Sequence, residues 1–408
     1  MDHRATARDL RRRTRAAVLR HIVLTGETTR AQIGQRCRLS QATVANVVSD
    51  LIHEGLVEER GTLPSEGRPI GRIRAATDGP CLIGVDVSEQ GVTADLFDLT
   101  LHRIDRVSQQ LHPGEAGPKT VAEALQEAVE RIRTANRERW SHLVGIGLGL
   151  PGIVETAADG TTTFYAQNLG WLPARLEDIC PDNGVPVFAD NGIRTLTAAE
   201  MWLGAAVGVQ HGIVMFVGHG ISVGIISSGQ LLRGTAGSAG EFGHTKIALG
   251  RRRCQCGQYG CFQAHVGGEA ILDRWDGRLR SDRGPEEPDG PAEEARLSEF
   301  LAAAEAGDKK ARRVLDDVTR TLALGIANLV NLFNPEQVLL GGWVGTKLLE
   351  ARPADLESYV RQFALVRPGQ EVRLGGCQLG KDAVAIGAAL LPLERLIESN
   401  LRSPEVAH

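Results

Sequence analysis

Short apolar runs studded with glycine alternate with amphipathic helical stretches through most of this chain. That alternation constrains the fold more than any other feature. Leu82-Ile-Gly-Val-Asp-Val87 and Gly91–Phe97 have the length and content of buried strands, with a turn at Ser88–Gln90 between them. A helical stretch over 117–137 leads to the run Leu143–Leu150, which ends in Pro151-Gly152. Further strands are expected over Val185–Ala189, Gly212–Val217, Ser222–Ser227 and Gln337–Gly342. Helices are expected over Thr195–Gly204, Lys309–Leu332 and Ala383–Ser399. Such a sequence calls for an α/β fold with mixed sheets. The 48 glycines suit tight strand–helix turns, and an aromatic content of 4% leaves the core to Val, Leu, Ile and Ala. Pro, Gly, Asp and Glu dominate Ser281–Glu294, which reads as a flexible acidic loop.

The first 80 residues differ from the rest in charge. They hold 14 Arg, no Lys and 9 acids, a balance of +5, while the remainder has 32 basic and 41 acidic residues, a balance of −9. A basic head on an acidic body fits one domain that meets a polyanion. An Arg-studded helix is expected over Ala7–Leu24 and a short one over Arg30–Arg38. After a turn at Leu39–Ser40, a third helix is expected over Gln41–Glu54 with Ser40 as its N-cap. Val44, Val47, Val48 and Leu51 make one apolar face of that third helix. The opposite face offers Gln41, Ala42, Thr43 and Asn46, small and polar groups able to approach base edges. Strands over Leu56–Glu59 and Arg72–Ala75 would flank a wing, with Arg68 at its tip suited to a minor groove. The unit reads as a winged helix-turn-helix that binds double-stranded DNA; the alternative is a three-helix module that binds protein.

No apolar run approaches the roughly 18–20 residues of a membrane span. The Arg-rich start lacks the apolar core of a signal peptide. Three of seven cysteines crowd into Cys254–Cys261, which suggests a metal site in a reducing compartment, hence a cytoplasmic chain. His244, Cys254, Cys256 and Cys261 form a ligand set suited to tetrahedral, structural zinc; the alternative is a group of reduced thiols without metal. Cys37, Cys81, Cys180 and Cys377 read as ordinary buried thiols.

From about residue 80 to 400 the chain resembles the ROK family of repressors and sugar kinases. The resemblance rests on Gly147–Gly152, Asn168-Leu-Gly-Trp171, Gly240-Glu-Phe-Gly-His244, Cys254–Cys261 and Asn334–Gly342, in that order. It implies a two-lobed actin-like (ribonuclease-H-like) body. The division expected is a head over 1–78, a small lobe over 79–193 and a large lobe with the zinc site over 194–382. Helix 383–400 would pack back on the small lobe. The resemblance also implies zinc beside a sugar pocket formed by Pro151, Gly152, Asn168, Asn191, Glu241, His244 and Gln263, in a homodimer or homotetramer. Gln263 stands where the family usually has Glu, which puts the commoner ligands glucose and N-acetylglucosamine in doubt.

Two departures from the kinases argue against phosphoryl transfer. Asp86 is followed by Val87-Ser88-Glu89-Gln90 in place of paired glycines that would bring backbone N–H groups to ATP phosphates. In Asp190-Asn191-Gly192, a glycine takes the place of the carboxylate base, although a one-residue slip would bring Asp190 there. The expectation is a non-enzymatic, sugar-responsive repressor. Its rivals are an active sugar kinase with an appended DNA-binding domain and a regulator that answers to a protein partner.

Overall fold

Side-chain caps place the first helices. The computed structural model describes residues 7–63, 70–111, 117–157, 159–166, 169, 171–180, 184–248, 252–278 and 291–398. Helices α1 (Ala7–Thr25), α2 (Arg30–Cys37) and α3 (Gln41–His53) match the expected stretches to within one residue at each end. Thr29 Oγ1 accepts from the Gln32 N–H at 3.3 Å, and Gln32 Oε1 accepts from the Thr29 N–H at 2.9 Å, a reciprocal cap on α2. Ser40 Oγ accepts from the Thr43 N–H at 3.2 Å and starts α3. Strands β2 (Val57–Leu63) and β3 (Ile70–Ala75) are antiparallel and longer than expected. Two residues, β1 (Glu27–Thr28), pair with the other edge of β3. The wing tip with Arg68 lies outside the described residues.

The first lobe comprises β4 (Cys81–Ser88), β5 (Gly91–Asp98), β6 (Arg103–Gln110), α4 (Pro118–Ala135), α5 (Arg137–Trp140) and β7 (Leu143–Leu150). It continues through β8 (Ile153–Thr156), β9 (Thr162–Ala166), β10 (Trp171–Arg175), α6 (Leu176–Ile179) and β11 (Val187–Asn191). Its main sheet has the order β11-β7-β4-β5-β6, with β5 antiparallel to its neighbours, and β8–β10 form a small antiparallel sheet beside it. Helix α7 (Gly192–Leu203) crosses to the second lobe. There β12 (Gly212–Val217), β13 (Ile221–Ser227) and β14 (Gln230–Leu231) precede α8 (Gln263–Val266), α9 (Gly268–Asp276), α10 (Pro291–Glu305) and α11 (Lys309–Phe333). Then come β15 (Gln337–Gly341), α12 (Gly342–Ala351), α13 (Pro353–Phe363), α14 (Val366–Glu371), β16 (Arg373–Gly376) and the last helix, α15 (Ala383–Glu398).

The second sheet has the order β14-β13-β12-β15-β16. In both sheets three strands meander, a fourth returns beside the first, and a fifth lies outside the fourth. Both lobes therefore carry one topology twice, which is the actin-like arrangement.

Helix α15 returns to the first lobe. A Cβ at Gly84 would fall 1.9 Å from Ala385 O, and one at Gly147 would fall 1.8 Å from Ala388 O. The two glycines let the helix backbone settle directly on β4 and β7. The head packs directly on the body. Val18, Leu19, Ile22, Val44, Val48 and Leu51 share one apolar cluster with Trp202, Leu390, Leu393 and Ile397 of the body.

The acidic loop expected over Ser281–Glu294 needs correction. Residues 279–290 lie outside the described residues, but Pro291–Glu294 form the first turn of α10 and Glu293 is fully buried. Composition alone could not show that Glu293 finds a partner in the core. Among the described residues, no helix is long and apolar enough to cross a membrane.

Candidate ligand pocket and metal centre

Strands β7 and β11 run parallel, with Leu150 opposite Asn191, so the residues after each emerge at one edge between the lobes. Pro151-Gly152 extends β7. Gly152 has a φ of +79°, and a Cβ there would stand 2.2 Å from Tyr165 O, so the loop can lie on β9 only as glycine. Asn191 caps α7, accepting the Ile193 N–H at 2.8 Å, and donates its amide to Gly152 O. Asp190 is buried between two arginines, Arg194 and Arg233. Arg194 also donates to Gly237 O and, at 3.1 Å, to Val154 O, so one guanidinium joins strands of the first lobe to a loop of the second. Burial pushes the Glu241 carboxyl above its ordinary range, and nearby Arg194 opposes that shift.

Gly152 and Asn191 are thus bonded to each other, and Glu241 lies within the influence of Arg194. Asn168 lies outside the described residues. Gln263 is buried and its amide is engaged: Oε1 accepts the Ile221 N–H at 3.3 Å, and Nε2 donates to Gln255 Oε1 at 3.0 Å. It braces the cysteine loop against the start of β13. Sequence reasoning missed Arg194 and Arg233. The four-residue spacing of Asp190 and Arg194 at a helix start was the available signal for the first; Arg233 had none.

The ligand atoms of His244, Cys254, Cys256 and Cys261 all lie within 4.8 Å of one another. Cys254 Sγ is 3.7 Å from His244 Nδ1, and Cys256 Sγ is 3.7 Å from Cys261 Sγ. A tetrahedron with bonds of about 2.3 Å to sulfur has edges of roughly 3.8 Å, so these side chains fit zinc and are too far apart for disulfides. Gly257 and Gly260 have φ of +83° and +73°, which folds the loop tightly enough for its thiols to converge. Lys246 Nζ donates to Cys261 Sγ at 2.9 Å.

The turn after β4 and the turn between β12 and β13 meet through side chains. Ser88 Oγ accepts the Gln90 N–H at 3.3 Å and closes the first turn on itself. Gln90 Nε2 lies 3.2 Å from His219 Nε2, and His219 Nδ1 lies 3.0 Å from the buried Glu293 carboxylate of α10. Asp86 stands two residues before the end of β4. Burial and Asp95 push its carboxyl up to about 7, with Arg106 opposing.

On α3, Gln41, Ala42 and Asn46 are exposed on the face opposite the buried valines, while Thr43 is half-buried and takes part in the Ser40 cap.

Residues 82–395 match the ROK family. The chain is 29% identical over 399 residues to a xylose repressor of Caldicellulosiruptor bescii, covering 96% of each chain. It is 31% identical over 324 residues to a glucokinase of Halalkalibacterium halodurans, covering 76% of this chain and 94% of that one. Its fold also matches the crystal structure of a ROK family transcriptional regulator, a homologue of the E. coli MLC protein. That match has a TM-score of 0.76 and 24% identity, covering 95% of this chain and 97% of that one. The glucokinase match leaves a quarter of this chain uncovered, whereas the two regulators are matched nearly end to end. By its paired lobes, its interlobe loops and this match from the first strand of the body to its last helix, the chain belongs to the ROK family.

Proposed function

We propose that this chain is a DNA-binding transcriptional repressor whose ROK body binds a monosaccharide without phosphorylating it. The observation that carries the reading is the head: three helices, the second and third capped by side chains, with a polar, exposed face on α3, in a chain aligned over nearly its whole length with a xylose repressor. Gln41, Ala42, Thr43 and Asn46 would read base edges of a double-stranded operator and Arg68 would enter a minor groove. Pro151, Gly152, Asn168, Asn191, Glu241 and His244 would surround the sugar, with Gln263 bracing the wall behind. His244, Cys254, Cys256 and Cys261 would hold a structural zinc, whose four protein ligands leave no open position for a reacting water. The division is a head over 1–78, a small lobe over 79–193 and a large lobe over 194–382. A cytoplasmic homodimer or homotetramer would present two heads to an operator.

A kinase reading is favoured by the glucokinase similarity. The closed Ser88 turn and the buried Glu293 beside His219 both oppose phosphate binding. The deciding experiment selects operator sequences from random duplex DNA, then measures ADP release with D-xylose, D-glucose and N-acetyl-D-glucosamine. Asn46→Ala is expected to reduce discrimination between selected and random DNA by about 1–3 kcal/mol. Sugar-dependent ADP release by the wild type, absent in Glu241→Ala, would make the protein a kinase.

A further inference from the structure

The pocket and the head share one helix. Helix α7 begins at Asn191, whose amide reaches Gly152 O, and Arg194 on its first turn is tied to Asp190, Val154 and Gly237. At its other end Trp202, 5% exposed, lies in the apolar cluster that contains Val18, Leu19 and Ile22 of α1. The Arg20 guanidinium sits 4.5 Å from the centre of the Trp202 ring. Ten residues at 1.5 Å each put about 15 Å between the two ends.

Between those ends the helix has little room to bend. A Cβ at Gly387 of α15 would meet Thr195 O at 1.8 Å, and one at Gly224 of β13 would meet Thr197 Oγ1 at 1.9 Å. Glu200, fully buried, accepts the N–H groups of Gln378 and Leu379 at 2.9 Å each and that of Ala205 at 2.7 Å. A close-packed helix held on both flanks passes a displacement along its length rather than absorbing it.

We propose that α7 carries the state of the pocket to the winged head, and that Trp202 and Arg20 are the positioning pair through which it does so. The proposal rests on the sugar-sensor reading above. A hydroxyl-bearing ligand that accepts a hydrogen bond from the Asn191 amide, or donates one to the Asp190 carboxylate, changes the bonding at the start of α7. The far end of the helix then shifts Trp202 against α1, and α1 moves α3 through the Val18, Val44 and Leu51 core. Trp202 and Arg20 lie outside both the pocket and the polar face of α3, so their part is coupling alone.

The test separates coupling from binding. Operator affinity and sugar affinity are measured on the full-length protein with D-xylose, D-glucose and N-acetyl-D-glucosamine as probes. Wild type is expected to lose operator affinity by about tenfold with the active sugar, within the usual range for coupled sites. In Arg20→Lys, which keeps the charge but not the planar stack, that ratio should fall by about two- to fivefold. In Trp202→Leu it should approach one, and Trp202→Phe should restore most of it. Sugar affinity and sugar-free operator affinity should stay within about twofold in all three, far below the change in the ratio. An unchanged ratio, or equal losses in all three quantities, would overturn the proposal. If no probe acts on the wild type, the sensor reading fails and amide exchange decides the coupling by itself. Asn191→Ala should then speed exchange in α1, and Trp202→Leu should at least halve that increment; no increment in α1 defeats the proposal.

Discussion

Replacing Asp86 by Asn should change how stability depends on pH. In the folded protein burial and the neighbouring Asp95 hold the Asp86 carboxyl at about 7, against an ordinary value of 3.8. Because the folded value is the higher one, the native state keeps a proton that the unfolded chain gives up. The associated stability is fully present below about pH 4 and is lost as pH rises through 7. Each pH unit inside that window costs up to 1.36 kcal/mol, so the full crossing costs about 4 kcal/mol and the span from pH 5.5 to 7 about 2 kcal/mol. Asn has nearly the same shape and no charge to lose. Urea unfolding of wild type and Asp86→Asn at pH 5.5, 6.5, 7.5 and 8.5 measures the effect, and the difference between the two proteins cancels the pH dependence of every other group. The variant should gain on the wild type by about 2 kcal/mol between the lowest and highest pH. A difference that is flat across the series would show that Asp86 is ionised throughout, and that Arg106 outweighs burial and Asp95.

Two further outcomes test other parts of the structure. The isolated protein should contain about one zinc per chain by elemental analysis, and Cys256→Ser should lose it and destabilise the second lobe; a folded, reduced, metal-free wild type would refute the assignment. Gly147→Ala should destabilise the protein by about 1–3 kcal/mol or more, because its methyl would enter the space of Ala388 O and lift α15 from the sheet. Unchanged thermal unfolding would show that α15 does not lie on β7 as described.

Much of the local structure was legible in the sequence because its causes are local. Ser40 could be read as a cap because the Thr43 N–H it accepts is three residues away. The run Leu143–Leu150 announced β7 at both ends because a buried parallel strand is continuously apolar. The cysteine loop could be read because Cys254, Cys256 and Cys261 are tied by spacing, and glycines between them allow the turns. Strand β6, by contrast, went unread: Arg103–Gln110 is a largely polar edge strand, and only pairing with β5 makes it extended.

What the tertiary structure alone decided are the contacts between residues far apart in the chain. Glu293 looked like part of a solvated acidic loop until α10 brought it to His219. Arg233 carried no sequence signal, and only the meeting of the lobes brings it to Asp190. The head was expected as its own division over 1–78, yet its apolar core continues into α7 and α15. The physical reason is the same in each case. Caps, turns and periodicity depend on neighbours within a few residues, which the sequence states directly. The worth of a buried charge or an exposed apolar face depends on what packs against it, and that is fixed only when distant segments come together.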